Sequence, residues 1–377
     1  MRFRDAHTHL AAGAADLADL DLRAVDGAPA VVAKVAAAAS SRPPGCWIRG
    51  WGWDGERAVE DGALDRAAAR HPVFLARRDG HAAWVNGPAR AALALPSEVV
   101  VEAAFDDARR RLPSLSAQER GEALRRQARA FAASGIAAID DFAEAWAPEV
   151  YAQLAARAEL PLHVELWLPE ATPRPEAEAL RNAFPRGGGT VAVAGIKIFL
   201  DGTLEARTAA LWEPYADAPS TRGSLRIDEH EAVDRVHAWA SQGWPVAIHA
   251  IGDRAVSVAL DALERAAPSP LGPHRIEHAQ VVRVDDLPRF RAAGIIASVQ
   301  PLHFEDDRSW REARLGTRVR SVAYPLASLA RAGATLLFGS DWPVSSFAPR
   351  RILAAAIDRA RGAEAMAAAD AEAAASA

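Results

Sequence analysis

Six polar residues have the side chains and the spacing expected of a metal-binding site. His7 and His9 stand two residues apart in DAHTH, so on an extended chain they point to the same side and could chelate one ion. Each residue by itself also fits a structural role, such as a hydrogen-bonded histidine or, for an aspartate, a helix N-cap. Together they favour a metal site. The other four stand in separate apolar stretches: Lys197 in GIKIF, His249 in AIHAI, His278 in RIEH and Asp341 in FGSD.

The elements that must position these residues are short apolar runs that alternate with helical patterns from about residue 130 onward. With RFRDAHTH at the start, the runs number eight, which predicts an α/β fold, a (β/α)8 TIM barrel. In such a barrel the chemistry lies at the carboxyl ends of the strands, where the polar residues stand. The later predicted strands are residues 135–142, 162–168, 195–201, 245–251, 274–279, 295–301 and 335–341.

The barrel accounts for residues 1–363, except for a long insertion after the first strand at about 20–130. We expect this insertion to contain extended segments and several helices, and to have a functional role, because loops of that length in compact domains are usually functional. Residues 364–377 are an alanine-rich tail.

Lys197 is unusual because it stands among the β-favouring apolar residues of VAGIKIFLDGT. An unpaired ammonium ion in the interior costs several kcal/mol, roughly, so the position requires an explanation. A neutral amine beside two divalent cations could react with carbon dioxide and become an anionic oxygen ligand. The alternatives are an ion pair with Asp201 or Glu205, or a cationic contact to the substrate.

The 377-residue chain is half hydrophobic, with a formal net charge of −5 at pH 7, which gives no basic surface for nucleic acid. No apolar stretch is long enough to span a membrane, and the first residues do not read as a signal peptide. The single cysteine, Cys46, fits a reducing compartment. We therefore expect a cytoplasmic protein with a small-molecule substrate and no nucleic-acid or membrane partner. The sequence leaves open whether the protein forms a homodimer.

The stretches DAHTHL, GIKIFLDGTLEARTA, IHAIGDRAV, RIEHAQ and GSDWPV resemble the amidohydrolase superfamily, and in particular its type 3 branch, which includes N-substituted formamide deformylases. RRDGHAAWVNGPA resembles that branch too, and the similarity runs from residue 1 to about 355. The resemblance implies a metal-dependent hydrolase that cleaves a non-peptide C–N bond. Relatives also carry a small β-sandwich subdomain formed by segments before and after the barrel, and we expect it to be missing here.

The resemblance also implies a role for each of the six residues. One or two divalent metals, usually zinc, would be bound, the first by His7, His9 and Asp341 and the second by His249 and His278. Lys197, carboxylated by carbon dioxide, would bridge them. A metal-bound hydroxide would attack the substrate, and Asp341 would transfer its proton to the leaving nitrogen.

Substrate contacts are expected from two places. The first is RRDGHAAWVN in the insertion, whose side chains could instead only organise the loop. The second is the end of the predicted strand IIASVQP, where Gln300 stands, with His303 just beyond it. The candidates in the insertion are Asp79, His81, Trp84 and Asn86.

Two other functions compete with an amide hydrolase. Deaminases of the same superfamily commonly carry a glutamate three residues beyond the histidine of the fifth strand, where this chain has Gly252. A non-catalytic barrel that binds metal or ligand is the other alternative. Lys197 and the intact set of ligands favour the hydrolase.

Overall fold

The structure is a computed structural model that describes residues 2–16, 20–23, 25–53, 61–77, 82–320 and 322–376. The chain divides into two compact units. Residues 1–11 and 125–377 form the first unit, and residues 12–124 form the second.

The strands of the described residues belong to two sheets. Eight strands form one parallel sheet in the first unit, and five form a separate mixed sheet in the second. In chain order they are β1 (Phe3–Thr8), β2 (Leu20–Asp21), β3 (Ile48–Trp53), β4 (Val73–Arg77), β5 (Ala82–Val85), β6 (Val99–Val101), β7 (Ile136–Phe142), β8 (His163–Pro169), β9 (Val191–Phe199), β10 (Val246–Ala250), β11 (Arg275–His278), β12 (Ile296–Val299) and β13 (Leu336–Phe338).

The helices in the described part of the chain include one or more after each strand of the eight-stranded sheet. They are α1 (Leu10–Asp16), α2 (Ala28–Ser40), α3 (Ala63–Ala67), α4 (Gly87–Leu93), α5 (Glu102–Arg111), α6 (Ala117–Ala133), α7 (Ala147–Ala156), α8 (Arg174–Ala183), α9 (Glu229–Ala240), α10 (Asp253–Glu264), α11 (Leu287–Ala292), α12 (His303–Asp306), α13 (Arg311–Leu315), α14 (Leu326–Arg331), α15 (Pro349–Ile357) and α16 (Ala368–Ser376). Short 3₁₀ helices cover Val284–Asp286, Asp307–Ser309, Gly316–Arg320 and Arg359–Glu364.

The eight-stranded sheet is a nearly closed barrel with the order β1-β7-β8-β9-β10-β11-β12-β13. Every residue of β10 and β11 is buried, as expected when helices cover one face and barrel side chains fill the other. Beyond the end of β13, the amide of Asp341 donates to the His7 carbonyl at 2.7 Å, and the amide of His9 donates to the Trp342 carbonyl at 2.9 Å. The predicted barrel of eight parallel strands with alternating helices is therefore confirmed.

The second unit contains a five-stranded sheet that the sequence analysis did not resolve. β2, β3 and β4 run parallel, whereas β4, β5 and β6 are antiparallel neighbours. One of its cores contains Ile48, Leu75 and Trp84, all fully or almost fully buried. The alanine-rich tail forms α16, in which Ala371, Ala374 and Ala375 are buried.

No helix in the described part of the chain combines the length and the apolar character that a bilayer crossing needs.

Gly339 allows β13 to approach β1 at the point where the barrel closes. A Cβ atom on Gly339 would overlap the Cβ of His7 and lie 2.6 Å from its backbone nitrogen. We expect Gly339→Ala to lower the free energy of unfolding by about 1–3 kcal/mol, because the extra methyl group meets backbone that cannot move freely. Urea unfolding measures the change. Gly189→Ala is the control, because a Cβ there has no atom within 4 Å. Equal stabilities of the two variants would contradict this prediction.

Candidate metal centre

Two groups of side chains in the described part of the first unit could each hold a metal ion, and they share Asp341. His7, His9 and Asp341 form the first cluster; His278, His303 and Asp341 form the second. Within each cluster the possible ligand atoms lie within 4.8 Å of one another. The Oδ1 atom of Asp341 is 3.3 Å from Nε2 of both His7 and His9, and its Oδ2 atom is 3.6 Å from Nε2 of His303.

The barrel places these groups at the carboxyl ends of its strands. His7 lies near the end of β1 with His9 just beyond it, His278 ends β11, and Asp341 follows β13. His278 has φ 74° and Asp341 has φ 55°, a left-handed conformation that costs a non-glycine residue about 1–3 kcal/mol. Strained backbone of this kind often accompanies a functional site.

A second set of contacts orients the two histidines that lie deepest. The Nδ1 atom of His7 is 2.6 Å from Oε2 of Glu277, and Nδ1 of His278 is 2.8 Å from Oε1 of Gln300. In both cases the partner is an acceptor, so Nδ1 carries a proton, and Nε2 is the nitrogen that would bind a metal. The tautomers and the Gln300 amide orientation are assigned from these contacts.

Lys197 is 3% exposed and makes no ion pair with the described residues. Its Nζ atom has no hydrogen-bond partner among the described residues and lies 4.0 Å from the ring centre of Phe142. Burial, opposed by Glu277 and Asp341, lowers the pKa of Lys197 to about 8. The carboxylate of Asp201 instead accepts three backbone N–H groups, those of Ala210, Ile251 and Gly252.

Burial and neighbouring charges favour the deprotonated forms of His249, His278 and Asp341, which are the forms that can bind a metal. Burial and nearby Lys197 lower the pKa of His249 to about 3, and burial together with His249 and His7 holds the pKa of His278 well below its usual value. Both imidazoles are therefore neutral at pH 7. Burial alone would raise the pKa of Asp341, but His7 and His9 outweigh it and hold that pKa well below its usual value.

His249 lies beside the second cluster without being part of it. Its ring centre is 4.5 Å from that of His278, but its Nε2 atom faces the carbonyl oxygen of Gly202 at 3.2 Å. His303 joins His278 and Asp341 in the cluster instead, although the sequence analysis assigned it to the substrate.

Four side chains of the insertion were predicted to contact substrate. Trp84 and Asn86 pack inside the second unit, whereas Asp79 and His81 lie outside the described residues. Trp84 packs in a core cluster of that unit. Asn86 caps α4, accepting from the amides of Val73 and Ala89 and donating to the carbonyl of His71.

Glu277 and Arg275 are site residues that the sequence analysis missed. Opposite charges two residues apart in the short strand RIEH were the available signal, because such residues share a side and must pair if both are buried. In the structure, Nε of Arg275 donates to Oε1 of Glu277 at 2.8 Å. Burial would raise the pKa of Glu277, but Arg275 and His7 lower it well below its usual range.

The donor set fits a divalent metal of the transition series. Nε2 of His7, Nε2 of His303 and Nζ of Lys197 are buried atoms without a hydrogen-bond partner among the described residues, and a carboxylate lies beside both imidazoles. Imidazole nitrogens with a carboxylate are the ligands that zinc and similar ions prefer.

The profile of the Amidohydrolase family matches residues 3–375 of the chain. The chain belongs to this family. The amidohydrolase chain is similar in structure to an uncharacterized metal-dependent hydrolase from Pyrococcus furiosus, with a TM-score of 0.83, 30% identity, and coverage of 98% of this chain and 79% of the other. A corresponding protein from Pyrococcus horikoshii gives a TM-score of 0.81 and 28% identity, covering 98% and 78%.

Among sequences, the amidohydrolase chain is 28% identical to the Arabidopsis thaliana protein LONG AFTER FAR-RED 3, over 94% of this chain and 67% of the relative. It is also 28% identical to the YtcJ protein of Bacillus subtilis strain 168, over 92% of this chain and 70% of the relative. These similarities establish a member of a family of metal-dependent hydrolases with a barrel fold.

Proposed function

We propose that the protein is a metal-dependent hydrolase of a C–N bond in a non-peptide amide, with N-substituted formamides as the first candidate substrates. The observation that carries the proposal is the pair of clusters sharing Asp341, with buried histidine nitrogens available at the carboxyl ends of the barrel strands. His7, His9 and Asp341 would hold one ion. His278 and His303, with His249 beside them, would hold a second, and zinc suits this set.

A divalent metal in this site would supply polarisation of the substrate carbonyl and activation of water at neutral pH. The protein contributes the proton acceptor: the carboxylate of Asp341 takes a proton from the attacking water and passes it to the leaving nitrogen. Gln300 contributes a buried Nε2 amide group without a partner among the described residues, which can donate to the substrate carbonyl while Oε1 orients His278.

Lys197 would carry carbon dioxide as a carbamate. The lone pair of the neutral amine forms an N–C bond to carbon dioxide, one C=O π bond becomes the carboxylate, and a proton leaves to solvent. The lowered pKa of Lys197 and the lack of an ion-pair partner among the described residues support this assignment.

The proposal is tested by metal analysis combined with turnover. The purified protein is stripped with chelator, reloaded with Zn²⁺, and assayed on N-substituted formamides, N-acyl amines and cyclic amides. We expect hydrolysis that requires metal. Full metal occupancy with no hydrolysis across the panel would favour a binding protein, and release of ammonia from a cyclic amidine would favour a deaminase.

Phe199 is the residue best placed to contact the substituent of the substrate. Its side chain is 41% exposed, yet its ring centre lies 5.0 Å from Nζ of Lys197 and 5.2 Å from the His249 ring. We expect Phe199→Ala to lower kcat/KM for formamides with an aromatic substituent about tenfold, equivalent to about 1.4 kcal/mol of lost apolar contact, and to spare small substituents. Ile357→Ala, at an equally exposed apolar residue, is the control. An equal loss for methyl and aromatic substituents would contradict the prediction.

A further inference from the structure

Glu277 makes a contact with His7 that is more enclosed than any other in the candidate metal centre. Both side chains are completely buried, and Oε2 of Glu277 lies 2.6 Å from Nδ1 of His7. An ionised carboxylate can only accept a hydrogen bond, so the imidazole must place its proton on Nδ1. The opposite nitrogen, Nε2, lies 3.3 Å from Oδ1 of Asp341.

Arg275 determines which oxygen of Glu277 faces His7. Its Nε atom donates to Oε1 of Glu277 at 2.8 Å, so Oε2 is the oxygen left for the histidine. Its Nη1 atom pairs with Asp140, and its Nη2 atom donates to the carbonyl of Ala6 at 2.6 Å and to Oγ of Ser298 at 3.0 Å. The guanidinium is therefore held by β1, β7, β11 and β12, and it holds Glu277 in turn.

We infer that Glu277, held by Arg275, is a positioning residue that accepts the Nδ1 proton of His7 and so directs Nε2 of His7 at the first metal. The inference rests on the proposed metal site but on no particular substrate. His278 has a neutral amide, that of Gln300, in the corresponding place. A carboxylate partner strengthens the electron donation of an imidazole to a metal more than a neutral amide does.

Glu277→Gln tests the inference, because the amide has nearly the same size and Arg275 imposes its orientation. The Nε–H of Arg275 requires an acceptor, so the amide oxygen faces Arg275 and the NH₂ group faces Nδ1 of His7. His7 would then accept at Nδ1 and carry its proton on Nε2, the wrong tautomer for a ligand. We expect the affinity for Zn²⁺ to fall about 10–100-fold, measured by competition with a chromophoric chelator in the absence of substrate.

Two further variants make the result decisive. Glu277→Asp keeps the charge but withdraws the carboxylate from Nδ1 by about one bond length, and it should also lose Zn²⁺ affinity. Asp286→Asn is the matched control, because Asp286 is a buried carboxylate that accepts from Ser257 and Arg289. It should keep the wild-type affinity for Zn²⁺.

Wild-type affinity for Zn²⁺ in a folded Glu277→Gln or Glu277→Asp protein would overturn the inference, as would an equal loss in Asp286→Asn. Failure of both Glu277 variants to fold, judged by circular dichroism, would make Glu277 a purely structural residue and overturn it too. Since chelator competition needs no turnover, an inactive substrate panel would count against the proposed hydrolase and leave this result intact.

Discussion

Replacing Asp341 with asparagine is expected to lower kcat/KM by about 10²–10⁴ while the protein keeps its metal. Asp341 is the carboxylate common to both clusters, and each of its oxygens lies near a histidine nitrogen. Its lowered pKa means that it is ionised at neutral pH, as a proton acceptor must be. Asparagine retains an oxygen of the same reach but has no comparable basicity, so ligand contacts survive better than proton transfer does.

The measurement pairs kcat/KM on the best formamide of the panel with metal content by plasma mass spectrometry. Asp286→Asn is a suitable control, since its carboxylate bonds to Ser257 and Arg289. An active Asp341→Asn enzyme would remove Asp341 from proton transfer. Loss of metal in proportion to activity would make it a ligand without a further role.

The barrel could be predicted because mainly apolar runs, such as those of β9 and β10, alternate with helical patterns along the chain. In β9, eight of the nine residues are buried, and every residue of β10 and β11 is buried as well. Since parallel strands end at one face, the residues His7, His278 and Asp341 could be placed together without knowing any side-chain geometry.

Contacts made across the barrel were beyond sequence reasoning. His303 begins α12, and only the course of the chain after β12 brings its ring within 6.1 Å of His278. Glu277 faces a residue 270 positions away, so its partner is determined by barrel register rather than by a local pattern. The role of Asn86, in contrast, follows from the local sequence. Its side chain caps the N-terminus of α4, a position that asparagine favours.

Lys197→Ala is the second substitution with a large expected effect. We expect kcat/KM to fall at least about 100-fold and metal content to drop, because an anionic oxygen ligand at the centre of the site would be lost. At pH 7 a lysine with a pKa of about 8 is neutral in about one molecule in ten, whereas an ordinary lysine is neutral in fewer than one in a thousand. The neutral amine that reacts with carbon dioxide is therefore far more abundant at Lys197 than at an ordinary lysine.

The composition of the chain makes the carbamate directly observable. The sequence contains two lysines, Lys197 and the exposed Lys34. Protein reloaded with Zn²⁺ in ¹³C-bicarbonate should show a carbamate carbon resonance that persists in Lys34→Arg and disappears in Lys197→Ala. Reloading in solution free of carbon dioxide should recover less metal and less activity, and later addition of bicarbonate should restore both.

A small carboxylate offers the final test of why Lys197 matters. If its role is to supply an anionic oxygen, acetate or propionate should enter the space vacated in Lys197→Ala and restore part of the lost activity, while leaving the wild type unchanged. Lys197→Arg keeps a cation and cannot form the carbamate, so it should be inactive with or without acetate. Full activity of Lys197→Arg would instead make the residue a cationic contact to the substrate, and the bridging role would be wrong.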